Sequence, residues 1–191
     1  MKVLDKIIEL DNLITKSKEA ISTEVNNLNF DIENGVKFTI DEKLESSKLF
    51  DCSKKKGVYL FELNLESSLF KGKKTVTRIN NFAIDWANRK NDSFFSSSVI
   101  KKRLKNYEKY DKQWLPLYIG KCNDIHKRIK EHIDLSPEKK TYAMKLKHRK
   151  NLHNLEFRVS ILEIDVHNYD FIVPFVERTL REKYHPIIGK Q

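Results

Sequence analysis

Apolar side chains recur at helical spacing along the first part of the chain. Between residues 3 and 28 they mark one face of a helix, at Leu4, Ile7, Ile8, Ile14, Ile21, Val25 and Leu28. This face predicts packing against the rest of the domain, and a contact between two copies of the chain is the alternative. Polar and mixed residues follow over 29–53, where a short strand is predicted at 36–40.

Runs of β-branched and aromatic residues predict strands further along. Residues 57–63 form a buried strand bounded by lysines and an asparagine, residues 116–120 form a short strand that ends at a glycine, and residues 155–164 alternate in part. A further strand or hairpin arm is expected near 75–79.

The segments between these strands are expected to be helical or irregular. Residues 64–92 look irregular apart from a short helical patch at 82–88, and a basic helix is predicted from Ser93 to about Tyr110. Its inner side consists of Phe94, Phe95, Val99, Ile100, Leu104 and Tyr107. Asn123 or Asp124 can cap a helix over roughly 125–134, and a further basic helical stretch is expected near 137–149.

The positive charge is concentrated in one part of the chain. The 191 residues are enough for one domain with elaborations or one domain plus an arm, and they carry a net charge of +10. Residues 101–150 hold 16 lysines and arginines against 6 acidic residues, whereas the first fifty hold 7 against 10. A basic block of this kind is typical of proteins that bind phosphate backbones, with a solvated lysine-rich surface as the alternative.

Several other classes of protein are disfavoured by composition. Two cysteines, Cys52 and Cys122, and six scattered histidines form neither a disulfide framework nor a zinc motif. The N-terminus has too many charges for a signal peptide, and no stretch approaches the ~18 uncharged apolar residues of a membrane span. We therefore expect a cytoplasmic protein without a membrane partner.

Two tyrosines are candidates for chemistry on phosphodiesters. Hydrolysis of that bond requires an aligned water, a base that takes its proton, neutralisation of the developing charge and help for the leaving oxygen. Tyr59 lies in a strand that follows three lysines, and its phenolate would be favoured beside cations, so it could act as the base. Tyr118 lies in the next predicted strand. For both, a core tyrosine with a bonded hydroxyl is the alternative.

Arg128 and His132 are four residues apart and therefore lie on one face of the helix predicted over 125–134. The adjacent apolar stripe, which faces the sheet, consists of Ile125, Ile129 and Ile133. The pair is thus expected at the margin of the buried face. Arginine can grip a phosphate bidentately and histidine can transfer a proton near neutral pH. The alternative is a solvated helix face.

Glu177 lies in the first turn of the last predicted helix, 173–184, which Pro174 can open. A hard divalent cation prefers carboxylate oxygen, and a single carboxylate indicates one Mg²⁺ or Mn²⁺ that keeps most of its water. The alternative is an acidic residue favoured by the helix dipole and paired with Arg181. Lys121 is a candidate phosphate or water contact, or else a surface lysine.

Together these residues resemble the GIY-YIG nuclease family. The triplet at 57–59, Gly-Val-Tyr, is similar to the first family triplet, with valine for isoleucine, and Tyr-Ile-Gly at 118–120 is the second. Residues 118–132 resemble the strand–loop–helix segment of the family, which places Arg128 at the catalytic arginine. A histidine one turn later is similar to the pattern of restriction endonucleases in this family. Residues 174–186 resemble the helix with the metal-binding glutamate.

The resemblance implies an α+β fold, with a small three-stranded antiparallel sheet flanked by helices. It implies one divalent metal held by Glu177, with Tyr59 acting on the attacking water. Tyr118, Arg128 and His132 would surround the scissile phosphate. The domain would span 54–191, preceded by a helical arm over 1–53.

Two features depart from the family pattern. The gap between the triplets is long and requires an insertion, 64–115, whose basic helix with Lys101, Lys102 and Arg103 is expected to grip DNA. The family often has an asparagine after the terminal proline, and Gly189 aligns at that position.

The leading hypothesis is a Mg²⁺-dependent endonuclease on double-stranded DNA, most simply a small type II restriction-type enzyme. Such an enzyme would cut a palindrome as a homodimer, since symmetric sites match two-fold protein symmetry. A structure-specific or repair-type nicking nuclease is the second hypothesis. A DNA-binding protein whose nuclease site has decayed is the third, and Gly189 is its main support.

Overall fold

The computed structural model describes residues 3–50, 53–66, 74–88 and 98–189. In chain order its elements are α1 (Val3–Asn27), β1 (Val36–Thr39), β2 (Gly57–Asn64), α2 (Thr75–Asn88), β3 (Ser98–Val99), α3 (Lys101–Leu104), β4 (Trp114–Cys122), α4 (Ile125–Asp134), β5 (Glu156–Glu163), α5 (Tyr169–Tyr184) and β6 (Ile188–Gly189). Among the described residues, no helix is long and apolar enough to cross a membrane.

The main sheet has four antiparallel strands in the order β1-β5-β2-β4. The α+β class is therefore confirmed, but the expected three-stranded sheet is wrong. The fourth strand is β1, which pairs with β5 from Val36 opposite Val159 to Thr39 opposite Glu156. This strand comes from the segment expected to be an arm over 1–53, so that segment contributes to the sheet. A second sheet joins β3 to β6.

Strand β2 lies at the centre of the sheet, and all eight of its residues are buried. Its side chains alternate between two apolar clusters, as a strand covered on both faces requires. Tyr59, Phe61 and Leu63 face the larger cluster, with α2 and the isoleucines of α4. Val58 and Leu60 face the smaller cluster, with α5 and the C-terminal end of α1.

Helix α4 spans the predicted range because its cap is strong. The Asp124 carboxylate accepts a hydrogen bond from the Lys127 N–H at 3.1 Å, which satisfies one of the free donors of the first turn. Ile125, Ile129 and Ile133 are completely buried at helical spacing. The prediction for this segment is confirmed, including the cap.

The segment between β2 and β4 differs from prediction. The strand expected near 75–79 is wrong because these residues begin α2, which buries Ile79, Phe82, Ala83 and Trp86 at helical spacing. The basic helix expected over 93–110 is reduced to the single turn of α3 and a 3₁₀ turn at Lys105–Tyr107, and residues 93–97 lie outside the described part. Ser98–Val99 pairs with β6 instead, and the Ile100 N–H continues the pairing by donating to the Ile187 carbonyl.

Two further helix predictions are wrong. The segment 137–149 holds no long helix but only a 3₁₀ turn at Leu146–His148, and Lys145 before that turn has a left-handed φ of 56°. The Lys145 ammonium is buried and donates to the Pro137 and Lys139 carbonyls, which holds the segment as a compact loop. Helix α5 begins at Tyr169, so Pro174 lies inside it rather than in its first turn.

Candidate active site at the edge of the sheet

The predicted site residues meet at β4, which forms one edge of the main sheet. Helix α4 brings Arg128 and His132 to one face of this edge, where Tyr59 and Tyr118 lie. Helix α5 packs on the opposite face and carries Glu177, whose charge raises the pKa of Tyr118. The structure therefore groups residues from four separate elements.

Tyr59 reaches the site across the neighbouring strand. Its register partner on β4 is Gly120, and a Cβ atom at that position would lie 2.4 Å from the Tyr59 hydroxyl oxygen and 2.8 Å from Tyr118 Cε1. Such distances are not tolerated, so only glycine lets the Tyr59 ring cross β4 toward Tyr118. The glycine of the second triplet thus has a steric function, rather than that of an ordinary turn residue.

His132 is completely buried, and not at the margin of the apolar face as expected. Its Nε2 lies 2.9 Å from the Tyr59 hydroxyl, and its Nδ1 accepts the Met144 N–H at 3.0 Å. Because Nδ1 accepts, the neutral ring carries its proton on Nε2 and donates it to Tyr59. Burial, followed by the charge of Arg128, holds the pKa of His132 well below its ordinary value, which keeps the ring neutral.

The ionisation of Tyr59 is governed by opposing effects. Burial raises its pKa well above the ordinary value, and Tyr118 adds to the rise. Arg128 lowers the pKa, both through its charge and through a hydrogen bond. The cation that affects Tyr59 is therefore Arg128 rather than Lys54, Lys55 or Lys56. Since burial dominates, Tyr59 is a neutral phenol in this state, with two donors, His132 and Arg128, available to stabilise a phenolate.

Arg128 lies on α4 beside both tyrosines and is partly exposed, with 21% of its side chain accessible. Its guanidinium contacts the Glu131 carboxylate at 2.5 Å. Contact with Glu131 holds the guanidinium at the surface end of the site without burying it. Arg128 thus lies at the partly exposed margin of the helix face, as expected from its position in the helix.

Tyr118 lies between the buried and the exposed parts of the site. Its ring is half-buried and packs 4.8 Å from the His132 ring and 6.2 Å from the Tyr59 ring, measured between centroids. Burial raises the pKa of Tyr118, Arg128 lowers it, and Glu177 raises it. The ionisation of its hydroxyl is therefore affected by Arg128 of α4 and by Glu177 of α5.

Glu177 lies in the third turn of α5 and is half-buried, so the helix-start explanation of this residue is wrong. Burial raises the pKa of its carboxyl, whereas Arg181 and Lys121 lower it. Lys121 is exposed on β4, and its charge acts on this carboxylate. A half-buried carboxylate offers the oxygen ligands that a hard divalent cation such as Mg²⁺ prefers.

No family model, curated protein or solved structure matches this chain significantly.

The three basic residues predicted to bind DNA differ in their surroundings. Lys101 and Lys102 are exposed on the single turn of α3. Arg103 is half-buried and donates from Nη1 to the Pro186 carbonyl at 2.8 Å, so it ties α3 to the end of the chain. The charge of Arg181 acts on Arg103, which places this cationic turn next to the C-terminal half of α5.

Arg181 is a member of the site whose role the sequence did not indicate beyond a pairing with Glu177. Its guanidinium affects the pKa of Glu177 and of Tyr118, and its Nη2 would lie 3.1 Å from a Cβ at Gly189. Gly189 has a φ of +155°, a conformation that side-chain-bearing residues rarely adopt. An asparagine there would be strained and would meet Arg181, so local geometry accounts for the glycine at this position.

Proposed function

We propose that the chain is a divalent-metal-dependent endonuclease that hydrolyses double-stranded DNA, most simply a small type II restriction-type enzyme. The observation that carries the proposal is the Tyr59–His132 pair next to Tyr118 and Arg128, with Glu177 of α5 close enough for its charge to raise the pKa of Tyr118. The net charge of +10 and the exposed lysines of α3 support a phosphate-rich substrate.

Each side chain has a role that its surroundings support. Tyr59 would first release its own proton to bulk water, with the donors His132 Nε2 and Arg128 stabilising the phenolate. The phenolate would then accept the proton of the attacking water and become a neutral phenol again. Arg128 and Lys121 would bind the phosphate oxygens, and Tyr118 would orient them. A divalent cation held by Glu177 would supply charge neutralisation at the phosphate and the leaving oxygen.

His132 would not touch the phosphate in this scheme. It is fully buried behind Tyr59, and its proton position is fixed by the Met144 N–H. His132 would therefore act as a positioning residue, which orients the Tyr59 hydroxyl and stays neutral throughout.

The test is digestion of unmethylated phage DNA by the purified protein in Mg²⁺, compared with Glu177→Gln. This substitution removes the charge and keeps the shape of the side chain. Glu182→Gln is a matched control, because Glu182 is exposed on the same helix. We expect discrete fragments from the wild type and the control and none from Glu177→Gln, with most DNA affinity retained by all three.

Other outcomes separate the alternative functions. A smear of fragments, or cutting confined to branched or damaged DNA, would replace the restriction-type activity with a structure-specific or repair-type nicking nuclease. Salt-sensitive DNA binding without cleavage in Mg²⁺ or Mn²⁺ would leave a DNA-binding protein with a decayed site. Unchanged cleavage by Glu177→Gln would remove Glu177 from the metal site.

A further inference from the structure

The N-terminal half of α1 presents a wide apolar surface. Among the residues of this helix only Val25 is buried. Seven large apolar side chains between residues 3 and 14 are 39–78% exposed, namely Val3, Leu4, Ile7, Ile8, Leu10, Leu13 and Ile14. Together they expose on the order of 600 Å², a patch as large as the largest found on ordinary monomers. Such a surface indicates a binding partner.

The apolar surface continues the contact between α1 and α5. Lys18 and Phe175 are adjacent, with 5.3 Å from the ammonium to the ring centroid, and the Lys183 ammonium donates to the Asn26 carbonyl at 2.7 Å. The two helices therefore run in the same direction, and α5, which starts at Tyr169, begins beside about residue 12 of α1. The tip of α1 extends beyond that start.

Helical spacing shows that the tip and the packed half use the same face. Ile21 packs against the apolar cluster around α5, and Ile14 and Ile7 precede it by seven and fourteen residues. Seven residues are close to two turns, so all three lie on one side of the helix. The exposed face is thus the one that α5 would cover if it were longer.

The charges of α1 disfavour a lipid surface or nucleic acid as the partner. Residues 3–27 contain five acidic residues and three lysines. Helices that lie on membranes are usually rich in lysine and arginine on the polar face, and phosphate binders are basic. An apolar face next to mixed charges fits another protein helix instead.

The spacing of the stripe is complementary to itself. Val3, Ile7, Leu10 and Ile14 alternate by four and three residues, which is the spacing of a coiled-coil seam. With two copies antiparallel, Val3 faces Ile14 of the second copy and Ile7 faces its Leu10. The same two contacts then repeat by symmetry, so every seam residue has an apolar partner.

A parallel arrangement conflicts with the position of α5. In a parallel pair in register, the second α1 would continue along the face beyond residue 14, where α5 already packs against Ile21 and Val25. In the antiparallel pair the second α1 extends past the tip instead. We propose that the chain forms a homodimer through an antiparallel pairing of the exposed α1 tips.

This proposal does not depend on the nuclease activity. It is tested by sedimentation velocity over a range of concentrations, with the wild type compared with Ile7→Glu/Leu10→Glu. Asn12→Glu is the matched control, because Asn12 lies on the polar face of the same helix. We expect concentration-dependent dimers for the wild type and Asn12→Glu, and a dissociation constant raised about tenfold or more for the double variant.

The orientation is tested by crosslinking in a background without Cys52 and Cys122. We expect a short thiol-to-thiol crosslinker to link Val3→Cys/Ile14→Cys into covalent dimers, while Ile14→Cys alone stays unlinked. Efficient linking of Ile14→Cys alone would overturn the antiparallel pairing. A wild type that stays monomeric at all concentrations, or that binds lipid vesicles through α1, would overturn the proposed homodimer. Circular dichroism confirms in each case that the variants are folded.

Discussion

Strand β2 carries two buried polar pairs that differ in charge and in access. At one end the Tyr59 hydroxyl meets the neutral His132 ring at 2.9 Å. At the other end the Glu62 carboxylate meets Arg158 at 2.7 Å through both Nε and Nη2, and the guanidinium stacks 4.4 Å above the Trp114 ring. The first pair borders the open edge at β4, whereas the second is enclosed by the aromatic ring.

The difference separates a group that can exchange a proton from a group that holds the fold. Tyr59 has donors around an oxygen that can lose its proton, and Tyr118 and Arg128 connect that oxygen to the surface. The Glu62 carboxylate has its partner fixed on the adjacent strand, and burial raises its pKa while Arg158 lowers it. We therefore propose a catalytic role for the neutral pair and a structural role for the ionic pair, although both are buried.

The largest expected effect is on the cleavage rate of Tyr59→Phe, which alters the neutral pair and leaves the ionic pair intact. The substitution removes one hydroxyl, and loss of a general base lowers rates by about 10²–10⁴-fold. Tyr107→Phe is the matched control, because it removes another buried hydroxyl, one that donates to the His185 carbonyl at the end of α5. Cleavage rates of the two variants decide the comparison. Full activity in Tyr59→Phe would mean that Tyr59 is only a core residue without a catalytic role.

Arg158→Met should act on stability instead. It leaves Glu62 buried without its partner, which costs about 3–5 kcal/mol of unfolding free energy. Adding Glu62→Leu should recover most of this loss, because an apolar pair of similar volume needs no counter-charge. Urea unfolding measures both effects. The structural assignment fails if cleavage per folded molecule drops in the double variant while stability is restored.

Acid should reveal opposite signs for His132 and Glu62. The folded pKa of His132 is depressed, so below about pH 6.5 the unfolded chain binds a proton that the folded chain does not. The unfolding free energy therefore decreases as the pH is lowered, by up to about 1.4 kcal/mol per pH unit. The folded pKa of Glu62 is raised, so its contribution to stability increases as the pH falls through that value. His132→Gln cannot titrate. The unfolding free energy of this variant should depend less on pH between 7 and 5 than that of the wild type, and equal slopes would contradict a neutral buried His132.

The exposed cations give the smallest expected effect. Lys101→Gln/Lys102→Gln should reduce the slope of log affinity against log salt by about 0.9 for each phosphate that the variant no longer neutralises. Arg103→Gln should lower the unfolding free energy and change the salt slope little, because the Arg103 guanidinium donates to the Pro186 carbonyl. Filter binding at several salt concentrations measures the slopes. An unchanged slope in the lysine variant would mean that α3 faces away from DNA.

The sequence predicted the elements whose signals are local. Helix α4 follows from Asp124 and its isoleucine stripe, and β2 from its unbroken apolar run. Strand β1 was predicted but not its place in the sheet, because pairing with β5 depends on contacts about 120 residues away. Helix α2 was mistaken in part for a strand, because its first residues are β-branched and only packing reveals their period.

The sequence predicted which residues form the candidate site, but not how deeply they are buried. Tyr59, Tyr118, Arg128 and His132 come together as expected, yet complete burial of His132 depends on Met144, which arrives from the loop after α4. Arg181 was interpreted only as a partner of Glu177, because its proximity to Tyr118 and Gly189 arises from tertiary packing alone.

The position of the site on an edge strand also bears on solubility. An exposed edge offers unpaired N–H and C=O groups to other strands, which promotes aggregation. Part of β4 is protected, because Pro116 has no N–H and its carbonyl accepts the Ile187 N–H. Lys121 lies one residue before the end of β4, and its exposed charge discourages pairing with a second sheet. The lysine expected to attract a phosphate would therefore also keep the open edge from joining another molecule.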